Sequence, residues 1–367
     1  MKSLKVCFVM VLFFCVMTSF AFAGERQLSR SWLWDSNPVE MQDMSKYKKA
    51  PPYRIGFSNA SISNSWRVFM AREVQAEAEK HKDVISKLYI TDAQDKPDKQ
   101  IGDTEDLVAK GCDLIILSAA TMAALDPITT RIHKQGIPVV CLDRRVTSDN
   151  FASFVTASNF TQGRVMMLWL CQMLKGKGNI VMLPGIAGAG PAEERIVGAK
   201  EILSQFPGVK VLDTQYTSWS PSEGKRVMSA MIQSYGDKIN GVWCDSGLQG
   251  SGAIEALAEA NMKVPITGED LNAYLTRVQK YKFPAMSIGF PVKQGAEAVR
   301  TSLKILQGIS VPFIVNVTRK VLTTVDTDDV KSDQPWAVSY THLRAHETAD
   351  VISYAVFCLK KGGGGGG

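Results

Sequence analysis

The sequence predicts an α/β fold in which parallel β-sheets are covered by helices on both faces. From Tyr53 onward, short apolar segments rich in β-branched residues recur about every 25 to 30 residues, separated by segments of helical periodicity. Continuous apolar strands that alternate with helices indicate sheets with two buried faces. The chain of 367 residues, 45% hydrophobic and 21% charged, is long enough for two lobes with separate cores. The predicted strands are 53–57, 88–90, 114–117, 139–142, 180–183, 209–216, 241–243 and 265–267.

The helices between these strands have ordinary boundary signals. Ser220 is suited to be an N-cap, Pro221 fits the first turn, and Glu223 completes a capping-box pattern. Gly308 is placed to end a helix that begins near Val292. Right-handed crossovers between parallel strands bring every strand-to-helix loop to one edge of its sheet, which is where ligands bind in such folds.

The first 23 residues have the composition of a secretory signal. Lys2 and Lys5 precede an apolar segment over residues 6–22, and the Ala-Phe-Ala sequence at 21–23 fits a cleavage site. A membrane anchor is the alternative, and the short, interrupted apolar segment disfavours it. We therefore predict that residues 1–23 are a cleaved signal peptide and that the protein is exported to the periplasm.

Residues 24–50 form a polar segment with two tryptophans that ends in a lysine pair. We predict that this segment is an arm on the protein surface. A DNA-binding regulator is disfavoured, because a predicted signal peptide and no helix-turn-helix pattern precede Tyr53.

The C-terminal segment differs in character from the rest of the chain. Residues 338–348 and 352–361 resemble one reading frame of a sequencing-library adapter, and six glycines follow them. We predict that residues 337–367 are not native and that the native sequence stops near Trp336. The alternative is a genuine tail with a flexible glycine end.

Without these two ends the chain is nearly neutral. Lys plus Arg falls from 42 to 37 and Asp plus Glu from 36 to 34, which leaves a net charge of about +3. This charge is not typical of nucleic-acid-binding proteins. Only His81 and His133 remain, each in a charged helical segment, so we expect neither a histidine-based metal site nor a catalytic triad. No cofactor is expected.

Four cysteines remain in this central part: Cys112, Cys141, Cys171 and Cys244. An even number permits disulfides in an oxidising compartment, but a protein with large cores does not need them. We predict free, buried thiols.

Polar side chains with one shared chemistry follow the predicted strands. A sugar hydroxyl donates to a carboxylate and accepts from Arg or Asn, while an indole covers the apolar face of the ring. Such residues can also have a structural role, since Asp and Asn after a strand often cap helices. Asp143 and Arg144 could form a plain ion pair, and Trp66 could be part of the core. The candidate ligand-binding residues are Asn59, Asn64, Ser65, Trp66, Arg67, Ser118, Asp143, Arg144, Asn159, Arg195, Asp245 and Asp270; Trp219 and Asn272 stand at comparable positions.

Five short motifs, distributed over the whole central part, are IGFSN at 55–59, SWR at 65–67, VCLDR at 140–144, ERIVG at 194–198 and GED at 268–270. They resemble the ribose- and galactofuranose-binding family of type I periplasmic binding proteins of ABC transporters, over about residues 51–326. The resemblance implies two Rossmann-like lobes joined by three hinge crossovers, near Ala157, Pro291 and Val321. The N-terminal lobe would comprise residues 51–157 and 291–321, and the C-terminal lobe residues 158–290 and 322–336.

The resemblance also implies roles for the N-lobe residues of the cleft. Trp66 would stack on a sugar ring, and Arg67 and Arg144 would donate to ring or hydroxyl oxygens. Asp143 would accept from two hydroxyls.

The resemblance continues in the C lobe, with two departures from the family pattern. The resemblance implies that Arg195 reaches across the cleft and that Asp270 accepts from the far hydroxyls. The family usually has Asn-Asp where this chain has Cys244 and Asp245, which weakens the assignment of Asp245. Residues 288–290 read Ile-Gly-Phe where a ribose-binding protein has a glutamine, so ribose is not the expected ligand.

These features lead to the hypothesis of a monomeric, non-enzymatic solute-binding component of an ABC importer. It would hold a small sugar or polyol between its lobes, and an inner-membrane permease would recognise the closed form. A chemoreceptor or sensor kinase as partner is the alternative. A glycoside hydrolase using Asp143 and Asp270 is disfavoured, because the two carboxylates come from opposite lobes and Arg144 would lower the pKa of Asp143.

Overall fold

The computed structural model describes residues 40–325, 327 and 330, together with the backbone of 341–342. The predicted signal peptide lies outside the described residues, as do residues 24–39 and nearly all of the predicted adapter-derived tail. Residues 341–342 form a two-residue strand at the edge of a sheet, parallel to residues 321–323.

The described chain alternates strands and helices from residue 53 to residue 306. The strands are β1 (Met41–Gln42), β2 (Tyr53–Asn59), β3 (Ile85–Asp92), β4 (Leu114–Ser118), β5 (Val139–Leu142), β6 (Ser153–Thr156), β7 (Lys177–Leu183), β8 (Gly208–Thr214), β9 (Gly241–Cys244), β10 (Ile266–Glu269), β11 (Ala285–Ile288), β12 (Val311–Pro312), β13 (Ile314–Asn316), β14 (Val321–Thr323) and β15 (Thr341–His342). The helices are α1 (Ser65–Lys80), α2 (Pro97–Ala109), α3 (Met122–Lys134), α4 (Asn159–Met173), α5 (Gly190–Leu203), α6 (Pro221–Tyr235), α7 (Gly247–Glu259), α8 (Asn272–Tyr281) and α9 (Gln294–Leu306).

Two separate sheets define two lobes. The N-lobe sheet has the order β13-β6-β5-β4-β2-β3, and all of its strands are parallel. The C-lobe sheet has the order β15-β14-β11-β10-β9-β7-β8, in which β14 runs antiparallel to β11. The chain passes between the sheets after β6, after β11 and after β13. This architecture confirms the predicted fold class.

Each predicted strand is present, and most are one to three residues longer than expected. The strands β6, β11, β13 and β14, which have three or four residues each, were not predicted. The predicted helix boundaries are also present: the Ser220 side chain accepts a hydrogen bond from the backbone amide of Glu223. Gly308 follows α9 with a φ of +75°, the left-handed conformation that favours glycine.

Helices cover both faces of the N-lobe sheet. One face packs Ile55 and Phe57 against α1 and α9, and the other packs Ile115 against α2 and α3. Most of residues 40–50 are exposed, but two residues of this predicted surface arm are part of the N-lobe core. Met44 and Tyr47 are 3% and 5% exposed and belong to this core, because β1 pairs antiparallel with β12 and fixes the segment against the lobe.

The four central cysteines are buried and free, as predicted. Burial raises the pKa of Cys141 to about 12, so its thiol is protonated and unreactive at neutral pH. In the described part of the chain, no helix is both long and apolar enough to cross a membrane.

Candidate functional site

A cavity lies between the lobes, at the carboxyl ends of strands from both sheets. Its walls combine charged groups with aromatic and aliphatic side chains. The lining residues are Asn64, Trp66, Arg67, Asp143, Arg144, Pro191, Arg195, Trp219, Ser246, Leu248, Glu269 and Phe290.

Arg67 is the centre of a hydrogen-bond network in the N-lobe wall. Its Nη1 lies 2.8 Å from Oδ2 of Asp143, and both side chains are almost fully buried. Its Nη2 donates to Oδ1 of Asn59 at 2.7 Å and to Oγ of Ser118 at 2.8 Å. Burial and the nearby Arg144 lower the pKa of Arg67 to about 10, so the guanidinium remains charged at neutral pH. Asn59 and Ser118 therefore act behind the cavity surface, by fixing Arg67.

The start of α1 orients two of the lining side chains. Asn64 is the N-cap, and its Oδ1 accepts a hydrogen bond from the backbone amide of Arg67 at 3.0 Å. Ser65 is exposed and does not line the cavity, contrary to prediction, because it is the first helical residue and the helix turns it to the surface. Trp66 follows it and faces inward.

Asp143 and Arg144 follow β5 in a strained turn. Asp143 has a φ of +65°, a left-handed conformation that costs free energy for a residue with a side chain. Arg144 is 2% exposed, and its Nη1 lies 3.3 Å from Oδ1 of Asp95. Its Nε lies 3.9 Å from Oδ2 of Asp143 and has no hydrogen-bond partner among the described residues. The turn therefore presents a buried guanidinium with spare donor capacity.

Arg195 is the C-lobe counterpart of Arg67. Its Nη1 lies 3.0 Å from Oε1 of Glu269, and its Nε donates to Oδ1 of Asn159 at 3.0 Å. Its guanidinium carbon lies 4.5 Å from the centre of the Phe290 ring. The backbone of Arg195 is set by a close approach of α5 to α4, where a Cβ atom on Gly163 would lie 2.0 Å from the Arg195 carbonyl oxygen. Asn159 thus has a positioning role behind the cavity.

Asp245 does not line the cavity, although it was predicted to bind ligand. Its Oδ1 accepts from Nε1 of Trp219 at 3.1 Å and from Gln249, and its Oδ2 accepts from the amide of Gly185 at 3.1 Å. Burial raises the pKa of Asp245 to about 6. Its carboxylate holds the Trp219 indole, which fits because Gly185 has no Cβ: such an atom would lie 1.9 Å from Cε2 of Trp219.

Asp270 is likewise absent from the residues that line this cavity. Its carboxyl interacts with the backbone of Phe290, whose ring stands in the cavity wall, and burial raises the pKa of Asp270 to about 6. The neighbouring Glu269 lines the cavity instead, and its Oε2 accepts from the hydroxyl of Ser246. The GED motif was therefore found at the site, but the lining residue is the glutamate.

Several contacts join the two lobes near the cavity. The indole nitrogen of Trp66 donates to the carbonyl of Phe290 at 2.6 Å, and their ring centres are 5.4 Å apart. The Arg144 guanidinium lies 5.3 Å from the Trp219 ring centre. Outside the lining, Nε of Arg145 lies 2.8 Å from Oε1 of Glu194, which joins the turn after β5 to α5. The lobes are therefore in contact on both sides of the cleft.

Half of the predicted site residues line the cavity: Asn64, Trp66, Arg67, Asp143, Arg144 and Arg195. Asn59, Ser118, Asn159 and Asp245 lie behind them in hydrogen-bond networks. Trp219 and Phe290 also line the cavity, although neither was among the predicted site residues. The sequence indicated only that Trp219 follows a strand and that Phe290 lies where the chain departs from the family pattern. Pro191, Ser246 and Leu248 carried no chemical signal in the sequence, although their place at the starts of α5 and α7 follows from the sheet topology.

No group of three or more His, Cys, Asp and Glu side chains in the described residues is arranged to hold a metal ion. The site is thus defined by guanidinium, carboxylate and aromatic groups between two hinged α/β lobes, which is the architecture of a ligand-binding protein.

The family described as "periplasmic binding protein domain" matches residues 55–310, and this chain belongs to it. The galactofuranose-binding protein of Escherichia coli is 30% identical over 226 residues, which cover 60% of this chain and 70% of that protein. The ribose import binding protein of Haemophilus influenzae is 28% identical over 270 residues, covering 73% and 91%.

Solved structures show the same relationship. The fructose-binding periplasmic domain of a hybrid two-component system is 27% identical, with a TM-score of 0.72 over 84% of this chain and 97% of that chain. A galactofuranose-binding protein is 25% identical, with a TM-score of 0.68 over 74% and 95%. These relationships confirm the resemblance drawn from the sequence motifs.

Proposed function

We propose that this protein is the solute-binding component of an ABC importer, and that it binds a small sugar or polyol in the cavity between its lobes. The observation that carries the proposal is the Arg67, Asp143 and Arg144 network facing Arg195 and Glu269 across the cavity. Alternating guanidinium and carboxylate groups match hydroxyls, which both donate and accept. Membership of a family of binding proteins supports binding, not catalysis, as the function.

Relatives support the same class of ligand. Proteins similar to this chain are named for galactofuranose, ribose and xylitol, and solved neighbours include a fructose-binding domain and a galactofuranose-binding protein. Their ligands differ in ring form and length, but all of them are rich in hydroxyl groups. We therefore assign the ligand class here as polyhydroxylated.

Lobe closure couples ligand binding to transport in this proposal. A ligand oxygen near Arg144 can accept a hydrogen bond from its buried Nε, which otherwise has no partner. Because an unpaired buried donor costs free energy, this hydrogen bond favours the closed form. The ion pair between Arg145 and Glu194, which we call the latch, forms only when the lobes are close. The ligand and the latch therefore stabilise the same closed state. An inner-membrane permease then recognises the closed surface.

The first 23 residues serve in this proposal as a cleaved export signal, and the mature protein acts as a monomer in the periplasm. A sensory role is the second candidate, because the fructose-binding domain with a TM-score of 0.72 belongs to a hybrid two-component system. Affinity capture from membranes, with and without ligand, distinguishes the two. A permease is the expected partner, whereas a chemoreceptor or sensor kinase would favour the second candidate.

A thermal-shift screen of pentoses, hexoses and polyols tests the proposed ligand class. A ligand that binds only the folded protein stabilises it by about 2.7 kcal/mol at a concentration of 100 times its Kd. We expect an increase in Tm with at least one sugar or polyol, and a much smaller increase in the Asp143→Ala variant. No increase with any of these compounds would contradict the proposal.

A further inference from the structure

Both walls of the cavity have charged groups, and the C-lobe wall adds an apolar surface to its pair of Arg195 and Glu269. The N-lobe wall presents the charged groups of Arg67, Asp143 and Arg144. The C-lobe wall includes Pro191, Trp219 and Leu248, which we call the apolar end wall. These three residues stand at the starts of α5 and α7 and in the loop before α6.

The indoles in the cavity have no free polar atom. The Trp66 nitrogen donates to the Phe290 carbonyl at 2.6 Å, and the Trp219 nitrogen donates to Oδ1 of Asp245 at 3.1 Å. Each indole has only one donor, so both are satisfied within the protein. Trp66, Trp219 and Phe290 can therefore offer a ligand only carbon surface.

The carboxylate that holds Trp219 in the apolar end wall is also occupied. Asp245 accepts hydrogen bonds from Trp219, Gln249 and the Gly185 amide, and it is 0% exposed. A ligand hydroxyl at this end cannot reach it without breaking the bond that holds the indole.

Polar groups beside the apolar end wall are bonded to each other. Ser246 donates to Oε2 of Glu269 and accepts from the backbone amide of Leu248 at 3.2 Å. Oε1 of Glu269 is shared between Arg195 and Gln162. The carboxylate oxygens of Glu269 therefore accept hydrogen bonds from residues of its own lobe.

The apolar end wall continues into a small core. Trp219 packs with Ala189 and Ala192, and Leu248 contacts this cluster while remaining only partly buried. A ligand carbon placed against Leu248 and Trp219 would complete this cluster and remove apolar surface from water.

We propose that the ligand is a 6-deoxyhexose whose methyl group lies against the apolar end wall, while its ring hydroxyls bind Arg67, Asp143 and Arg144. This inference rests on the proposed function, because it places a sugar in the same cavity. A hydroxymethyl group at that position would lose its hydrogen bonds to water and gain none from Trp219, Asp245 or Ser246, which are paired within the protein. The unpaired Nε of Arg144 lies near the Trp219 ring, but in this pose a ring hydroxyl accepts its hydrogen bond.

Matched sugar pairs test the inference by isothermal titration calorimetry on the full protein. The pairs are D-fucose with D-galactose, L-fucose with L-galactose, and L-rhamnose with L-mannose, which differ only in the 6-hydroxyl. We expect the 6-deoxy member of at least one pair to bind about 10- to 100-fold more tightly than its partner. Equal or tighter binding of the hydroxymethyl member in every pair that binds would overturn the inference.

Failure of the inference differs from failure of the proposed function. Binding of other sugars or polyols, with no binding of any 6-deoxyhexose, overturns the methyl assignment and leaves the proposed function standing. No binding of any sugar or polyol overturns both.

A variant tests whether the preference for the 6-deoxy sugar arises at the apolar end wall. Leu248→Gln introduces donors and an acceptor there, and we expect the ratio of the two affinities to fall at least fivefold. Leu212→Gln is the matched control, because Leu212 is a partly buried C-lobe residue outside the cavity. It should leave the ratio unchanged, and Tm reports whether either variant is misfolded. An unchanged ratio in a folded Leu248→Gln protein would show that the methyl group does not lie there.

Discussion

The N-lobe and C-lobe walls of the cavity are built on different physical principles. In the N lobe, Arg67 is fixed by hydrogen bonds to Asn59, Ser118 and Asp143. In the C lobe, Arg195 and Glu269 are paired with each other, and aromatic and aliphatic carbons form much of the remaining surface. We therefore expect the N lobe to orient the ligand through hydroxyl contacts and the C lobe to stabilise closure by burying apolar surface. Mutations in the two walls should therefore have different consequences.

Asp143→Asn should have the largest effect on binding. The change removes the charge opposite Arg67 and Arg144, and asparagine tolerates the left-handed backbone at this position. We expect ligand affinity to fall by about 2 to 3 kcal/mol, or roughly 30- to 150-fold, measured by titration calorimetry. Asp106→Asn, on the exposed face of α2, is the control and should bind normally. An Asp143→Asn protein of unchanged affinity would contradict the orienting role of the N-lobe wall.

Trp66→Ala should have the next largest effect. Loss of the indole removes stacking surface as well as the hydrogen bond to Phe290, so we expect binding to weaken by about 1 to 3 kcal/mol. Trp66→Phe keeps an aromatic face and loses only the hydrogen bond. It should retain most of the affinity, as measured in the same titration. If both variants bind as well as the parent, Trp66 does not contact the ligand.

Glu77 allows N-lobe stability to be changed without changing the site. Burial raises the pKa of Glu77, but hydrogen bonds from Arg300 and Lys80 outweigh this effect and lower the pKa to about 2. Because the folded pKa lies below the usual value of 4.5, this stabilisation is present above pH 4.5 and is lost as the pH falls through 2.

We therefore expect Glu77→Gln to reduce the free energy of unfolding by about 1 to 2 kcal/mol at pH 7, and by less at pH 3, in urea denaturation. Ligand affinity should not change. Glu79→Gln is the matched control, because Glu79 and its partner Lys82 are 72% and 75% exposed and contribute little. An equal loss of stability in both variants would show that the α1–α9 contact has no special role.

Arg145→Gln should have the smallest effect, because it removes only the latch between the lobes. Arg145 is 28% exposed and Glu194 is 7% exposed, so solvent weakens their attraction. We expect affinity to fall about 3- to 10-fold at low salt, with a smaller difference at high salt. Arg131→Gln disrupts an exposed pair with Glu105 within the N lobe and serves as the control. Equal affinity of Arg145→Gln and the parent at low salt would show that this contact does not favour closure.

The sequence allowed the fold to be predicted more completely than the site. Strong apolar strands such as β2 and β4 were found directly, because both faces of a parallel sheet are buried and every residue contributes to the signal. The short strands β11 and β14 were missed, whereas β5, β9 and β10, which have four residues each, were found. Met44 and Tyr47 were also misassigned, since the pairing of β1 with β12 joins residues about 270 positions apart.

The sequence by itself determined the alternation of strands and helices and the identity of the charged groups at the ends of strands. Those properties are local, because they depend on side-chain periodicity and on residue type. Only the tertiary structure decided which charged groups face the ligand and which are used by the protein. Asp245 and Asp270 have the same chemistry as Asp143, but their carboxyl groups are engaged by Trp219 and by the backbone of Phe290. Asp143 is also paired, with Arg67, but a carboxylate has several acceptor positions and Asp143 lines the cavity, whereas Asp245 and Asp270 do not. Which carboxylate reaches the cavity depends on neighbours from distant parts of the chain.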